Sequence, residues 1–311
     1  MASLPKVSLQ NIVGGLKMDS QEHTILTESG REIRIFEAGK PDGIPILVHS
    51  GTPGSRLLSP KWIEDALSRG IRLIGYDRPG YGGSTAFPGR TVASAADDVA
   101  AIANSLNLDR LAIWGHSGGG PHALACAALK PDLVFAAAVL ASPTPYDADG
   151  LDWLAGMGES NIAEFCAALE GRDALEPLIE AEAPGLLAAD PESLLQALRS
   201  LLSPIDADVL TGDFVADLIN NIIEGIKERR DGWVDDDIAF IKHWGFDLGQ
   251  IQIPVMLLHG KQDRFVPFSH GEWLASQIPG VDAQILPEDG HITLVVSRIS
   301  EVHAWLLSKN Q

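Results

Sequence analysis

Gly115-His116-Ser117-Gly118-Gly119 joins an apolar run, residues 111–115 (LAIWG), to a helix-compatible stretch, residues 121–130 (PHALACAALK). A strand, a sharp turn and a helix leave no space for side chains two before and two after the central residue, so both must be small. The Ser117 hydroxyl is then pushed out above the strand end. Pro121 falls in the first helical turn, where a backbone N–H would lack a partner anyway. A serine hydroxyl is a weak nucleophile and needs a base. Of the nine histidines, His291 sits in a loop after Pro287-Glu288-Asp289-Gly290, between the last short strand and the last helix, free to reach over the sheet edge. His303 belongs to the final helix and His259 to a strand run. His116 flanks the serine and on so sharp a turn should point elsewhere. His23, His49, His122, His243 and His270 have no matching position. The base needs an orienting carboxylate. Asp263 directly follows residues 255–259 (VMLLH), at the carboxyl end of a strand, where parallel sheets place catalytic groups. The alternative is Asp147 or Asp149, just past Ser142-Pro143. Ser117, Asp263 and His291 therefore run in the order nucleophile, acid, histidine, each after an expected strand. That set performs acyl transfer.

The elements that must hold these residues alternate along the chain. Residues 31–38 (REIRIFEA) have the period of a half-buried strand, and residues 44–49 (IPILVH) and 72–76 (RLIGY) are apolar runs ended by Gly and Pro. Residues 91–106 have helical spacing, and residues 134–141 (VFAAAVLA) form another strand run. A helix around 272–277, a short strand near 283–286 and a helix from about 294 close the chain. Strands alternating with helices give an α/β fold, a mostly parallel sheet with helices on both faces. Residues 145–250 break the rhythm. They hold no convincing strand, and apolar residues such as Ile162, Phe165, Leu169 and Leu194, Leu198, Leu201 recur at helical spacing, which predicts four or five helices. The expected division is a core of residues 1–144 and 251–311 with an inserted all-helical cap, 145–250.

Charge supports that division. The cap interval carries 23 acidic against 6 basic residues, the rest of the chain 19 against 17. The formal net charge of −19 argues against nucleic acid or an anionic membrane surface as the main partner. The acids of the cap read first as a solvated helix surface. Residues 232–237 (GWVDDD) read as the start of a helix with acids at its N-terminus. Two cysteines, Cys126 and Cys166, fit a reducing compartment, although one bridge stays open. His and Cys show no close metal-ligand spacing, so neither metal nor organic cofactor is implied. Residues 1–20 have no apolar core of signal-peptide length and no apolar run of ~18 residues occurs, which makes the cytoplasm the expected location. The expected partner is a small-molecule substrate. The oligomeric state is not legible.

In these motifs the chain resembles the α/β-hydrolase superfamily, over roughly residues 24–308. Tyr76-Asp77-Arg78-Pro79-Gly80-Tyr81-Gly82-Gly83-Ser84 is similar to the family's D-x-R-G-x-G-x-S turn and reads as structural. The resemblance implies a helical cap at 145–250 and an oxyanion hole built from the N–H of Gly118 and one from the loop His49-Ser50-Gly51-Thr52-Pro53-Gly54-Ser55. Many relatives have H-G-x-P here. This loop has one residue more before the proline, so aligning on Pro53 makes Thr52 the donor and aligning on His49 makes it Gly51. A serine nucleophile sets the chain apart from relatives that form an aspartyl ester. The implied reaction is hydrolysis of a carboxylic ester or lactone, with Trp153, Met157 and Phe165 as roof residues or as packing within the cap. The loop is also similar to that of proline iminopeptidases, in which cap carboxylates hold a substrate ammonium. Carbon–carbon bond hydrolysis, a lyase, and a ligand receptor on the same scaffold are the remaining readings.

Overall fold

The computed structural model describes residues 7–13 and 16–310, with side chains from residue 20 onward. The N-terminal stretch weighed as a leader lies partly outside these residues. Nine strands form one sheet: β1 (Val7–Val13), β2 (Leu16–Leu26), β3 (Glu32–Gly39), β4 (Ile44–His49), β5 (Ile71–Tyr76), β6 (Leu111–His116), β7 (Val134–Leu140), β8 (Val255–Gly260) and β9 (Asp282–Leu286). Their order is β1-β2-β3-β5-β4-β6-β7-β8-β9. The first three pairings are antiparallel and the remaining five parallel.

The strands at the centre are apolar for a physical reason. A parallel strand covered on both faces needs no polar alternation, and every residue of β7 and β8 is buried. The helix Ala95–Leu106 packs on Gly119–Leu129, and Pro60–Ser68 on Ile299–Ser308. Trp114 of β6 is fully buried and meets Trp62 of the first helix edge to face at 5.1 Å. The Trp62 indole donates to the carbonyl of Val295 at 2.9 Å, which ties that helix to the last part of the chain.

Three elements differ from the sequence reading. The sheet begins before residue 31, because β1 and β2 add an antiparallel hairpin. Between Ser20 and Leu26 of β2 only Ser20 and Ile25 are buried, so the period-two signal is too thin to read. Between β7 and β8 lie six helices rather than four or five: Glu159–Glu170, Arg172–Leu187, Pro191–Ala197, Pro204–Val209, Gly212–Ile226 and Asp231–Phe240. Pro191 and Pro204 each open a new helix, and apolar spacing alone does not register such breaks. The closing helix is two, Ile292–Ser297 and Ile299–Ser308, parted at Arg298.

Cys126 is buried, Cys166 exposed, and both are free. Among the described residues no helix is long and apolar enough to cross a membrane.

The glycines around Ser117 are sites of close packing. A Cβ on Gly115 would run into the carbonyl oxygen of Gly119, and one on Gly119 into that of His49. Gly119→Ala should therefore lower stability by about 1–3 kcal/mol, the usual cost of overfilling a packed site. Equilibrium urea unfolding measures it. An unchanged midpoint would mean that the end of β4 yields freely.

Candidate active site

Ser117 turns the chain from β6 into the helix Gly119–Leu129 with φ of 54°. A non-glycine residue in that region is strained. Two hydrogen bonds hold it there: its N–H donates to Leu140 at 2.9 Å and its carbonyl accepts from Gly120 at 2.8 Å. The side chain is half-buried and lines a cavity of about 830 Å³ together with Gly51, Thr52, Gly118 and His291.

His291 follows β9 and is 2% exposed. Its Nδ1 lies 2.7 Å from Oδ2 of Asp263. The other oxygen of Asp263 accepts the N–H groups of Phe265 and Val266, both at 2.8 Å. Burial alone would raise this carboxyl, but His291 and His259 outweigh burial and hold it well below the usual carboxylate range. Asp263 thus stays ionised and fixes a proton on Nδ1 of His291, leaving Nε2 bare. The Phe265 ring stacks on the imidazole, centroids 4.4 Å apart and planes 15° apart. His259 also lies beside the Asp263 carboxylate, its Nε2 at 2.8 Å from the Val266 carbonyl and 3.5 Å from Oδ2 of Asp263. Among the described residues neither Asp147 nor Asp149 bonds His291.

His116 does not point away, contrary to the sequence reading. Its ring lies 4.5 Å from that of His291, and its Nε2 donates to the His291 carbonyl at 3.1 Å. Burial first, and then His291, push its pKa down to about 3, so it is a neutral donor. Only the geometry of the turn reveals this. Asp206, from the inserted helix Pro204–Val209, is a second residue the sequence reading missed. Its buried carboxylate accepts the N–H groups of His291, Ile292 and Thr293 at 3.0, 2.7 and 3.1 Å. It caps the helix after His291 from a distant part of the chain.

The loop after β4 lies against the serine. A Cβ on Gly51 would sit 3.5 Å from Cβ of Ser117, and one on Gly118 would run into Thr52 Oγ1. Among the described residues the N–H groups of Gly51, Thr52 and Gly118 have no acceptor. All three candidate donors therefore stand free beside Ser117. Arg78 fixes the loop, donating to the carbonyls of Ser50 and Gly51 and to Thr52 Oγ1. The turn read as structural therefore also serves the site.

Trp153, Met157 and Phe165 all line the cavity. Trp153 also meets Phe165 edge to face at 4.6 Å, so lining and packing coincide. The triplet Asp235-Asp236-Asp237 corrects the picture of a solvated acidic face. All three are buried, at 3, 0 and 1% exposure. Asp235 pairs with Arg172 and Asp236 with Arg78 and Arg90. Asp237 lines the cavity together with Glu164 and Glu182, and the Trp233 indole donates to Glu164 at 2.7 Å. Burial, then Glu164, raises Asp237 well above the ordinary range, and burial raises Glu164 as well. Apolar residues flank the triplet on each side (Trp233, Val234, Ala239, Phe240), the pattern of a helix buried all round.

The alpha/beta hydrolase fold family matches residues 44–297 of the chain. The dihydrolipoyllysine-residue acetyltransferase component of an acetoin cleaving system from Pseudomonas putida is 26% identical over 85% of the chain, which spans 62% of that protein's length. A bifunctional esterase/perhydrolase from Acinetobacter calcoaceticus is 28% identical over 78% of the chain and 83% of its own. A thermophilic esterase from Thermogutta terrifontis superposes with a TM-score of 0.69 over 94% of this chain and 100% of its own. At 20% identity that likeness shows the fold alone.

Asp206→Ala should leave up to three buried N–H groups unpaired and lower stability by about 1–3 kcal/mol. Amide exchange at residues 291–293 should quicken in the folded variant. Equal exchange in both proteins would mean that water replaces the carboxylate.

Proposed function

The chain belongs to the α/β-hydrolase family and is an enzyme of it, and we propose that it cleaves a small carboxylic ester or lactone through an acyl-enzyme on Ser117. The observation that carries this reading is the 2.7 Å bond from His291 to Asp263 in the cavity that Ser117 lines at positive φ. Ser117 Oγ attacks the carbonyl carbon while its proton passes to Nε2 of His291. Asp263 stabilises the resulting imidazolium. The carbonyl oxygen becomes an oxyanion facing the N–H groups of Gly118 and of Thr52 or Gly51. Such a donor contributes ~2.7–4 kcal/mol in other acyl-transfer enzymes. The tetrahedral adduct collapses, and His291 returns the proton to the departing alkoxide. Water then attacks the acyl ester, giving its proton to His291, and Ser117 is released protonated.

We read residues 145–250 as a cap over this site. A cavity of about 830 Å³ falls within the roughly 300–1,000 Å³ that enclose small ligands. Trp153, Met157 and Phe165 would supply the apolar roof for the acyl or alcohol part. The substrate is a small molecule, in keeping with the depth of the site.

One observation favours a second reading, an aminopeptidase-like preference for cationic substrates. The carboxyl groups of Glu164, Asp237 and Glu182 face the same cavity, and burial raises all three. A substrate cation would be held by their ionised forms, so its binding strengthens as these raised carboxyl groups lose their protons.

Three measurements separate these readings. A fluorophosphonate probe should label the wild type and not Ser117→Ala; labelling of the variant would remove Ser117 as the nucleophile. Asp263→Asn should lower kcat about 10⁴-fold, as the equivalent loss of the correct tautomer does in serine proteases. A smaller loss than that of Asp147→Asn would move the acid. Last, a neutral ester and a matched trimethylammonium ester can be compared from about pH 5 to about pH 8, the side toward which raised carboxyl groups ionise. On the second reading KM of the cationic ester falls as pH rises while that of the neutral one holds. Parallel profiles would leave the plain esterase.

A further inference from the structure

We infer that Asp236 is a positioning residue for the oxyanion loop, acting through Thr52 and Arg78 from the inserted helix Asp231–Phe240. The inference rests on the acyl-transfer reading for its kinetic consequence, but not for its structural one.

Asp236 lies in the middle of the helix Asp231–Phe240 and is 0% exposed. The start of that helix sits on the turn after β5, where the N–H of Gly232 donates to Gly80 at 3.1 Å. A Cβ on Gly232 would run into the Tyr81 ring, so only glycine lets the helix come this close. The approach brings the Asp236 carboxylate into reach of five side chains. Oδ2 accepts from Thr52 Oγ1 at 2.8 Å, from Tyr81 at 2.8 Å, and from Nη2 of Arg78 at 2.6 Å. Oδ1 pairs with the Arg90 guanidinium at 2.7 Å and accepts from Nε2 of His122 at 3.1 Å. Burial would raise this carboxyl, but Arg78, Arg90 and His122 hold it well below the usual range. It is an anion whose bonds run in fixed directions.

Two of those directions lead to the loop after β4. Arg78, pinned by Asp236, donates to the carbonyls of Ser50 and Gly51. The Thr52 hydroxyl donates to Asp236 and accepts from Nη2 of Arg78 at 3.1 Å. It is the hinge of the arrangement. With both carbonyls and the one hydroxyl held from behind, the N–H groups of Gly51 and Thr52 cannot rotate toward another acceptor. An oxyanion donor acts by being in place before charge develops. Holding the loop from behind supplies that without any group touching the substrate.

The loop has a second tie, the N–H of Ser55 donating to Asn221 Oδ1 at 3.0 Å. That bond lies on the far side of Pro53 and sets the loop's end rather than its donors. It also predicts that weakening the Asp236 tie loosens residues 51–52 without unseating the whole segment.

The test compares the wild type with Asp236→Asn, Thr52→Val and Thr52→Ser in the full-length protein. Removing the buried charge could prevent folding; Thr52→Val keeps the size of the side chain and removes only the hydroxyl. Deleting an oxyanion donor outright costs about 10²–10³ in kcat, so mispositioning it should cost about 10- to 100-fold, with KM for a neutral p-nitrophenyl ester little changed. Serine at position 52, which keeps the hydroxyl, should recover most of what valine loses. Hydrogen exchange of the amides at residues 50–55, read by mass spectrometry without substrate, should quicken in Asp236→Asn and Thr52→Val and not in Thr52→Ser. Unchanged exchange there in Thr52→Val overturns the positioning role. Faster exchange with unchanged kcat in an active enzyme overturns its link to catalysis. A loss in KM rather than kcat would make position 52 a binding contact and overturn the proposal. If the wild type neither hydrolyses esters nor takes the fluorophosphonate, the acyl-transfer reading falls, and exchange still decides whether Asp236 holds the loop.

Discussion

A carboxylate withdrawn from water has to be surrounded by donors, and the arrangement around Asp236 follows from that demand. Its partners come from three separate stretches: Thr52 after β4, Arg78, Tyr81 and Arg90 in the connection after β5, and His122 in the helix after Ser117. Removing one partner of such a buried set costs about 3–5 kcal/mol elsewhere, so none is free to move alone. The helix Asp231–Phe240, the turn after β5 and the loop that faces the serine are thereby one rigid assembly. A buried ion set is weak evidence for stability, since apolar packing of the same volume often does as well. What it supplies is direction. Apolar side chains would fill the space but would not fix which way the backbone of residues 50–52 faces.

The strained turn at Ser117 depends on the same closeness by another route. Positive φ at a non-glycine residue persists only where the surroundings leave no alternative. Gly115, Gly119 and Gly120 provide that confinement, each in contact that a side chain would break: with Gly119, with His49 and with Ser142. His49 ends β4, so the carbonyl that confines Gly119 belongs to the residue from which the loop facing the serine departs. The distance from serine to loop is thus set by backbone packing in the core. The loop's facing is set from above by Asp236. His291 is held twice in the same manner, through its ring by Asp263 and through its backbone by Asp206.

Much of this was legible in the sequence, for identifiable reasons. A turn with glycines at fixed offsets, strands that are apolar throughout, and acid and histidine each just after a strand are local patterns, and local patterns survive in one dimension. So Ser117, Asp263 and His291 could be named, and the structure brings the last two within hydrogen-bonding distance beside the first. Gly51, Thr52 and Gly118 could be named as donors, and all three lie beside the serine. What could not be read is where a charged side chain goes when its partners are far away in sequence. Arg78 and Asp236 are 158 residues apart, and Asp206 and His291 are 85. His116 escaped for a different reason. Its direction depends on φ and ψ at a strained turn, and spacing carries no information about those.

The same limit explains what counting charge misses in the inserted helices. Twenty-three acids against six bases suggests a strong negative field at the mouth of the site. A formal count, however, treats every acid as ionised and solvated. Asp235 and Asp236 are cancelled by arginines at contact distance, and burial and Glu164 raise Asp237 well above the ordinary range. Asp206 spends its charge on the N-terminus of a helix, where backbone N–H groups offset it. These acids hold parts together and project little outward. Most other acids of the stretch are exposed, and Glu182 and Asp217 also line the cavity. Asp217 is itself engaged by the Ser59 hydroxyl at 3.1 Å. The acidity of this stretch is therefore two things: outside, an exposed helix surface; inside, a set of fixed acceptors that orient the backbone in the loop facing Ser117 and at His291.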